Sequence, residues 1–187
     1  MKTVLTSIEA EYRRYKALAD AAMAQLSEAQ LSEPGSSSSN SVAVVAWHIS
    51  GNLASRFTDF LVTDGEKPWR KREEEFAQKT RTRQELMGYW ERGWKVLFES
   101  LSELTDGHLE QTVVIRGTEL KVHEALHRSL AHTSYHVGQI VYLAKALRGT
   151  AWEYLSIPPG GSEPYNRNPM SERADTHTSR LKGSTSK

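Results

Sequence analysis

The sequence predicts an all-α protein built as a four-helix bundle, and three observations lead to this prediction. Four long segments repeat apolar residues at helical spacing. Stretches rich in polar residues, glycine or proline separate these segments. Strand-like composition is confined to one short pair of segments before the last long helix. Because amphipathic helices bury their apolar stripes against one another, four of them favour a bundle.

The first predicted helix covers about residues 3–31, where apolar side chains recur every three or four positions. A proline and the polar run 35–39 end it. We interpret this run as a loop between helices, because too few residues precede it to fold alone. The second predicted helix covers about residues 40–62, with a polar cap at Asn40 or Ser41.

A turn-rich loop over residues 63–69 separates the second helix from the third. The basic run 69–72 is followed at once by three glutamates, so we interpret it as part of a solvated loop, with an anion-binding role as the alternative. The third predicted helix has a clear start, because Thr82 and Glu85 have the spacing of a capping box. An Asp-Gly pair at residues 106–107 ends this helix.

A small hairpin is predicted before the last long helix. Residues 112–115 are mostly β-branched, and residues 118–121 return after a tight turn at Arg116 and Gly117. The fourth predicted helix then covers about residues 122–147, and a glycine at position 149 is placed to end it.

The sequence divides into a bundle domain at residues 1–166 and an irregular C-terminal tail at residues 167–187. The tail is polar and carries no long apolar stripe, so we expect an irregular, partly ordered extension.

Composition excludes several classes of partner and site. The formal net charge is +1, so no global field attracts nucleic acid or an anionic membrane. No apolar run approaches the roughly 20 residues that span a bilayer. The chain has no cysteine, which excludes disulfides and thiolate ligands. The N-terminus lacks a secretory apolar core, and we expect a cytoplasmic protein.

Histidines on the fourth helix are the first candidates for a metal site. His132 and His136 stand four residues apart, so they lie one turn above another on one helix face and could hold the same ion. This pair borders the apolar stripe, whereas His123 and His127 point towards the opposite side. His48, on a polar stripe of the second helix, is the natural third ligand. The residues alone leave open that these are ordinary structural or solvent-facing histidines.

Two stretches resemble the DinB-like superfamily. Residues 41–53, SVAVVAWHISGNL, are similar to the start of its second helix, and residues 130–140, LAHTSYHVGQI, are similar to its C-terminal HxxxH motif. The resemblance runs through most of residues 1–166. Further segments are similar to an uncharacterised bacterial branch of the superfamily, at residues 56–61, 64–69 and 156–160.

The resemblance implies a four-helix bundle, often a homodimer, with one divalent metal ion on three histidines. These correspond to His48, His132 and His136. Imidazole ligands suit Zn or Ni, and Fe or Mn are further options. Some members of the superfamily transfer low-molecular-weight thiols such as bacillithiol or mycothiol, and many have no known activity. The resemblance therefore implies a metal site without fixing a reaction.

Three functions are compatible with these residues. A metal-dependent enzyme, such as a transferase acting on a small-molecule thiol, would use the open position that three protein ligands leave on the ion. A hydrolase would use metal-activated water at the same site. A non-catalytic protein would use the metal for structure or for sensing stress. Further candidates for catalysis are Asn52 and Asp59, on the predicted face of His48, and Gln139, three residues after His136.

Overall fold

The computed structural model describes residues 3–36 and 40–184 and confirms a mostly helical fold. The predicted loop residues 37–39 and the last three residues of the tail lie outside the described part. In chain order the elements are α1 (Thr3–Ala24), α2 (Glu28–Ser32), α3 (Val42–Phe57), α4 (Arg72–Glu75), α5 (Arg83–Glu103), β1 (Thr112–Ile115), β2 (Thr118–Lys121), α6 (Val122–Arg148), α7 (Ser162–Arg167) and α8 (Ala174–Ser184).

The four long helices α1, α3, α5 and α6 form the predicted bundle. α3 packs against α5 and α6, and α1 packs against α6 and, less extensively, α5. Each long helix thus touches two others, which encloses a single core. Large side chains from three of these helices are fully buried there, including Tyr12, Ile49, Leu53, Trp90 and Trp94. Burial of this apolar surface is the main stabilising contribution to such a fold.

Helices α3 and α5 approach each other closely at one glycine. A Cβ atom built on Gly93 would lie 2.6 Å from both the Cα and the carbonyl oxygen of Ser50. Real Cβ atoms do not come this near to backbone atoms, so the two helices can pack at this spacing only with glycine at position 93.

Substitution of Gly93 by alanine is expected to lower the free energy of unfolding by about 1–3 kcal/mol, because the helices must shift to relieve the overlap. Gly88→Ala on the same helix is the matched control, since no atom lies within 4 Å of a Cβ there. That change is expected to raise stability by up to about 1 kcal/mol through helix propensity. Urea denaturation of both variants measures the difference, and equal stabilities would contradict the assigned packing.

The first predicted helix is interrupted after Ala24. Ser27 begins α2 with a capping box: its hydroxyl accepts a hydrogen bond from the Gln30 backbone at 3.2 Å, and the Gln30 side chain accepts one from the Ser27 backbone at 2.9 Å. The single helix predicted over residues 3–31 is therefore wrong, because this local pair starts a new helix.

The second predicted helix ends five residues early, at Phe57. The next residue, Thr58, is extended, and Asp59 has a positive φ of 49°. Aspartate tolerates this left-handed conformation better than most residues do. The Thr58 side chain also donates to the Ala54 carbonyl at 2.8 Å. These local interactions stop the helix before the expected end at residue 62.

The later elements match their predictions, except that α5 ends at Glu103, before the Asp-Gly pair at residues 106–107. Thr82 and Glu85 form the capping box that begins α5. Strands β1 and β2 pair antiparallel, with Ile115 opposite Thr118. Helix α6 ends at Gly149, which has a φ of 59°.

The expectation of an irregular tail is wrong over α8. This helix packs along α1, where Leu181 is buried against the small side chains of Ala17 and Ala21. His177 adds a hydrogen bond from its Nε2 to the Leu155 carbonyl at 2.9 Å. Packing against α1 thus supplies the stabilisation that the polar tail sequence lacks by itself.

None of the helices in the described part of the chain has the length and apolar character that a membrane span requires.

Candidate metal centre

Three histidines from two helices meet at one point, as predicted. His48 lies on α3, and His132 and His136 lie one turn apart on α6. One ring nitrogen from each lies within 4.8 Å of the other two. The Nε2 atoms of His48 and His132 are 3.3 Å apart. The packing of α3 against α6 therefore brings together residues separated by more than 80 positions in sequence.

This arrangement fits a divalent metal ion. Zn–N bonds of about 2.0–2.1 Å in a tetrahedral site put two ligand nitrogens roughly 3.3 Å apart. The observed separation of the His48 and His132 nitrogens has this value. His48 is 3% exposed, and the other two histidines are half-buried. The cluster is thus shielded from bulk water on one side and accessible on the other.

Burial favours the neutral, ligand form of the two α6 histidines. It lowers the pKa of His132 to about 3, with smaller contributions from the neighbouring His136 and His48. Burial also lowers the pKa of His136, although the hydrogen bond that its ring donates to Gln139 acts in the opposite direction. Protons therefore do not compete with a metal ion for these two rings near neutral pH.

Hydrogen bonds orient two of the three rings. The Nδ1 atom of His48 lies 2.8 Å from Oε2 of Glu75, and Nδ1 of His136 lies 2.7 Å from Oε1 of Gln139. Both oxygens are acceptors, so each Nδ1 carries the proton and each Nε2 keeps its lone pair for an ion. Such partners hold metal-binding histidines in the required orientation.

Glu75 is itself held by a buried arginine. Arg70 donates from Nε to Oε1 and from Nη2 to Oε2 of Glu75, both at 2.8 Å, and the two side chains are 2% and 5% exposed. Burial alone would raise the pKa of Glu75, but hydrogen bonds from Arg70 and His48 outweigh it and lower the pKa. Glu75 thus stays ionised as the acceptor for His48.

The close approach of Glu75 to α3 depends on a glycine. A Cβ atom on Gly51 would overlap Oε1 of Glu75 and would lie 3.1 Å from the Tyr89 hydroxyl. Any larger residue at this position would push the carboxylate away from His48. Gly51 is therefore a positioning residue for the candidate site.

The three histidines line a cleft with a volume of about 480 Å³. Asn52, one turn after His48 on α3, lines the same cleft. Three aromatic rings form part of its wall: Phe57, Phe60 and Phe76. Phe76 also lies against the His48 ring, with centroids 4.7 Å apart. The cluster is thus open to a space of the size that small molecules occupy.

The family of the chain follows from a sequence match over most of its length. The model of a family described as "Protein of unknown function (DUF1572)" matches residues 1–161. The chain belongs to the DUF1572 family. No curated protein matches this DUF1572 chain significantly.

A solved structure is similar to the DUF1572 protein in fold. It is described as the crystal structure of a conserved protein of a locus from Enterococcus faecalis. The two share 18% sequence identity with a TM-score of 0.59, over 80% of this chain and 99% of the other. At this level of identity the likeness shows the fold alone.

The structure of the DUF1572 protein places the other residues that the sequence suggested for the site in different surroundings. Asn52 faces the cleft, and Gln139 holds the His136 ring. Asp59 is exposed beyond the end of α3 and lines a separate cavity at that end of the helix. Its predicted place beside His48 is wrong, because the helix stops before it. His123 bonds to the Leu109 carbonyl, away from the cluster, as the helical geometry predicted.

The interpretation of residues 69–72 and the following glutamates as a solvated loop is wrong for Arg70 and Glu75. These two residues are buried and connect the loop to His48. No sequence motif marks this pair, because its role depends on how the loop folds back over α3. The basic run followed directly by an acidic run was the one available signal, and it is equally typical of an exposed segment.

Proposed function

We propose that this DUF1572 protein is a member of the DinB-like superfamily that binds one divalent metal ion through His48, His132 and His136. We further propose that it is a metal-dependent enzyme, which transfers a low-molecular-weight thiol to an electrophile. One observation carries the proposal: the histidine nitrogens converge at a cleft, and among the described residues no fourth protein ligand completes the cluster. Structural zinc sites usually have four protein ligands, whereas catalytic sites keep a position open.

The surrounding residues support this chemistry. A bound Zn or Ni ion would lower the pKa of a thiol or water and so supply a nucleophile near neutral pH. Glu75 and Gln139 hold two of the histidine rings in fixed orientations. The phenylalanines of the cleft offer an apolar surface to the electrophile and reduce its contact with water.

Metal analysis of the purified protein, followed by a thiol-consumption screen, tests the proposal. We expect one divalent ion per chain and consumption of a small thiol in the presence of an electrophile. A stoichiometric ion without any turnover would favour a non-catalytic role in structure or sensing. Release of product without consumption of thiol would favour the hydrolase.

Removal of the ion is expected to leave the fold intact, because the bundle core does not depend on the histidine cluster. Added Zn²⁺ should raise the melting temperature by mass action, since it binds the folded state preferentially. Circular dichroism with and without a chelator measures both effects. Unfolding by the chelator at room temperature would show that the ion is structural.

We propose a cytoplasmic homodimer without nucleic-acid or membrane partners as the working state. The superfamily resemblance supports the dimer, and the composition and balanced charge of the sequence support the other points. Closed two-fold dimers are the commonest assemblies of soluble proteins. Light scattering should then report twice the 21.1 kDa mass of one chain. A monomer at high concentration would refute this part of the proposal.

A further inference from the structure

Arginine side chains surround the cleft at the candidate metal centre. Of the described residues that line it, none is acidic. Five are arginines, and they come from α3, the α4 segment, the hairpin and α6: Arg56, Arg70, Arg72, Arg116 and Arg128. The cleft therefore has a strongly cationic wall even before a metal ion is considered.

Nearby carboxylates neutralise only part of this charge. Glu75 pairs with Arg70, and Glu73 pairs with Arg72. Glu66 is shared, with Arg56 at 3.2 Å and Arg116 at 2.7 Å. Asp64, at the hairpin, accepts from the backbone N–H groups of residues 66, 116 and 117, and its carboxylate also interacts with the charge of Arg56. Five guanidinium groups less these four carboxylates leave one positive charge.

Arg128 is the least compensated of the five. Within residues 3–36 and 40–184, its side chain has no hydrogen bond or ion pair. It lies on α6 one turn before His132, which lies one turn before His136. This spacing puts all three side chains on one face of the helix. An arginine with no partner among the described residues thus shares the helix face of the two histidines and lines the same cleft.

Helix α3 repeats this arrangement on the opposite wall. His48, Asn52 and Arg56 follow one another at intervals of four residues, and all three line the cleft. With a rise of about 1.5 Å per residue, Arg128 lies about 6 Å along the helix from His132, and Arg56 about 12 Å from His48. Arg128 precedes His132 on α6, and Arg56 follows His48 on α3, so each helix carries an arginine roughly 6–12 Å from its histidine in the same cleft.

We infer that this cleft binds a small molecule with two ends, one that reaches the histidine cluster and a carboxylate or other oxyanion that Arg128 and Arg56 hold. The inference rests on the proposed function and specifies its substrate class as an anionic thiol. Guanidinium groups bind oxyanions through charge-assisted, often bidentate hydrogen bonds. The apolar walls formed by Phe57 and Phe60 suit an aliphatic segment between the two ends.

Two thiols of equal length allow the effect of the negative charge on affinity to be measured apart from the effect of the thiol group. 6-Mercaptohexanoate and 6-mercaptohexanol differ only at the end remote from sulfur, so the ratio of their affinities reports on the arginines. Calorimetric titration of the Zn²⁺-loaded protein is expected to show about tenfold tighter binding of the carboxylate, the effect of one charge-assisted hydrogen bond. Arg128→Gln should reduce this ratio towards one, and Arg128→Glu should favour the alcohol.

Arg148→Gln on the same helix is the matched control, because Arg148 lies outside the cleft. This variant should keep the wild-type ratio of the two thiol affinities. Equal affinities of the two thiols for the wild-type protein would overturn the inference, as would an unchanged ratio in Arg128→Glu. The same titrations in chelator-treated protein distinguish the two proposals. Failure of Zn²⁺ binding would refute the proposed metal centre, whereas a preference for the carboxylate that persists without the ion would still support the arginine site.

Discussion

Replacement of His132 by alanine is expected to abolish stoichiometric binding of a divalent ion, and turnover with it. His132 supplies one of three converging ring nitrogens, and its Nε2 lies 3.3 Å from that of His48. Two ligands cannot hold an ion as three do, so the loss of affinity should exceed the roughly 10–100-fold typical of losing a partner of a ligand. Elemental analysis and calorimetric titration with Zn²⁺ measure the loss.

His123→Ala is the matched control on the same helix. His123 bonds to the Leu109 carbonyl and lies outside the cluster, so its replacement should leave metal content and turnover nearly unchanged. Full metal binding by His132→Ala would refute the assigned site. Unchanged turnover in metal-free wild-type protein would instead remove the ion from the reaction, and Asn52 and Gln139 would become the first residues to test.

Replacement of Glu75 by glutamine is expected to weaken binding of the ion by about 10–100-fold without removing any ligand. The carboxylate fixes the orientation of the His48 ring through a hydrogen bond of 2.8 Å, and its charge is held in place by Arg70. A neutral amide has the same shape but is a weaker acceptor. The free energy of unfolding should fall as well, because the buried Arg70 loses its counter-charge. Calorimetric titration measures the affinity, and thermal denaturation measures the stability.

Glu74→Gln is the control for this effect, because the Glu74 side chain is 63% exposed and, among the described residues, forms its ion pair with Lys71 at the surface. Gly51→Ala offers an independent test, since its new methyl group would displace the Glu75 carboxylate from His48. It should weaken metal binding in the same direction while leaving every titratable group in place. Wild-type affinity in both Glu75→Gln and Gly51→Ala would show that the orientation of His48 does not depend on this contact.

Much of the fold is predictable because local interactions decide it. The capping box of Thr82 and Glu85 begins α5 where expected, since it satisfies backbone groups within one turn. The hairpin forms at Arg116 and Gly117, whose backbones have the positive φ values that a tight hairpin turn requires. The end of α6 at Gly149 has the same local origin.

Local signals also explain two wrong helix boundaries. The capping box at Ser27 is visible in the sequence, but the apolar periodicity of the first segment continues across it. The end of α3 at Phe57 depends on an extended Thr58 and a left-handed Asp59, which periodicity does not reveal. The second error placed Asp59 beside His48, so a boundary shift of five residues produced a wrong site candidate.

The sequence by itself determined the helix faces and therefore which histidines could share an ion. The spacing of His132 and His136 puts them on one face of α6 in any folded state that keeps this helix. His48, on the polar stripe of the second helix, was the third candidate, and the resemblance to the DinB-like superfamily supported it. Both conclusions need only helical geometry and residue identity, which are properties of short segments.

The tertiary structure alone decided what surrounds these histidines. Glu75 reaches His48 because the loop before α5 folds over α3 at Gly51, and burial of Arg70 beside it keeps the carboxylate charged. Arg128, which has no partner in the described part of the chain, becomes part of a cationic cleft only when α3, α6 and the hairpin meet. Such contacts join residues that are distant in sequence, and their energies depend on burial and mutual distance, which no local pattern of residues specifies.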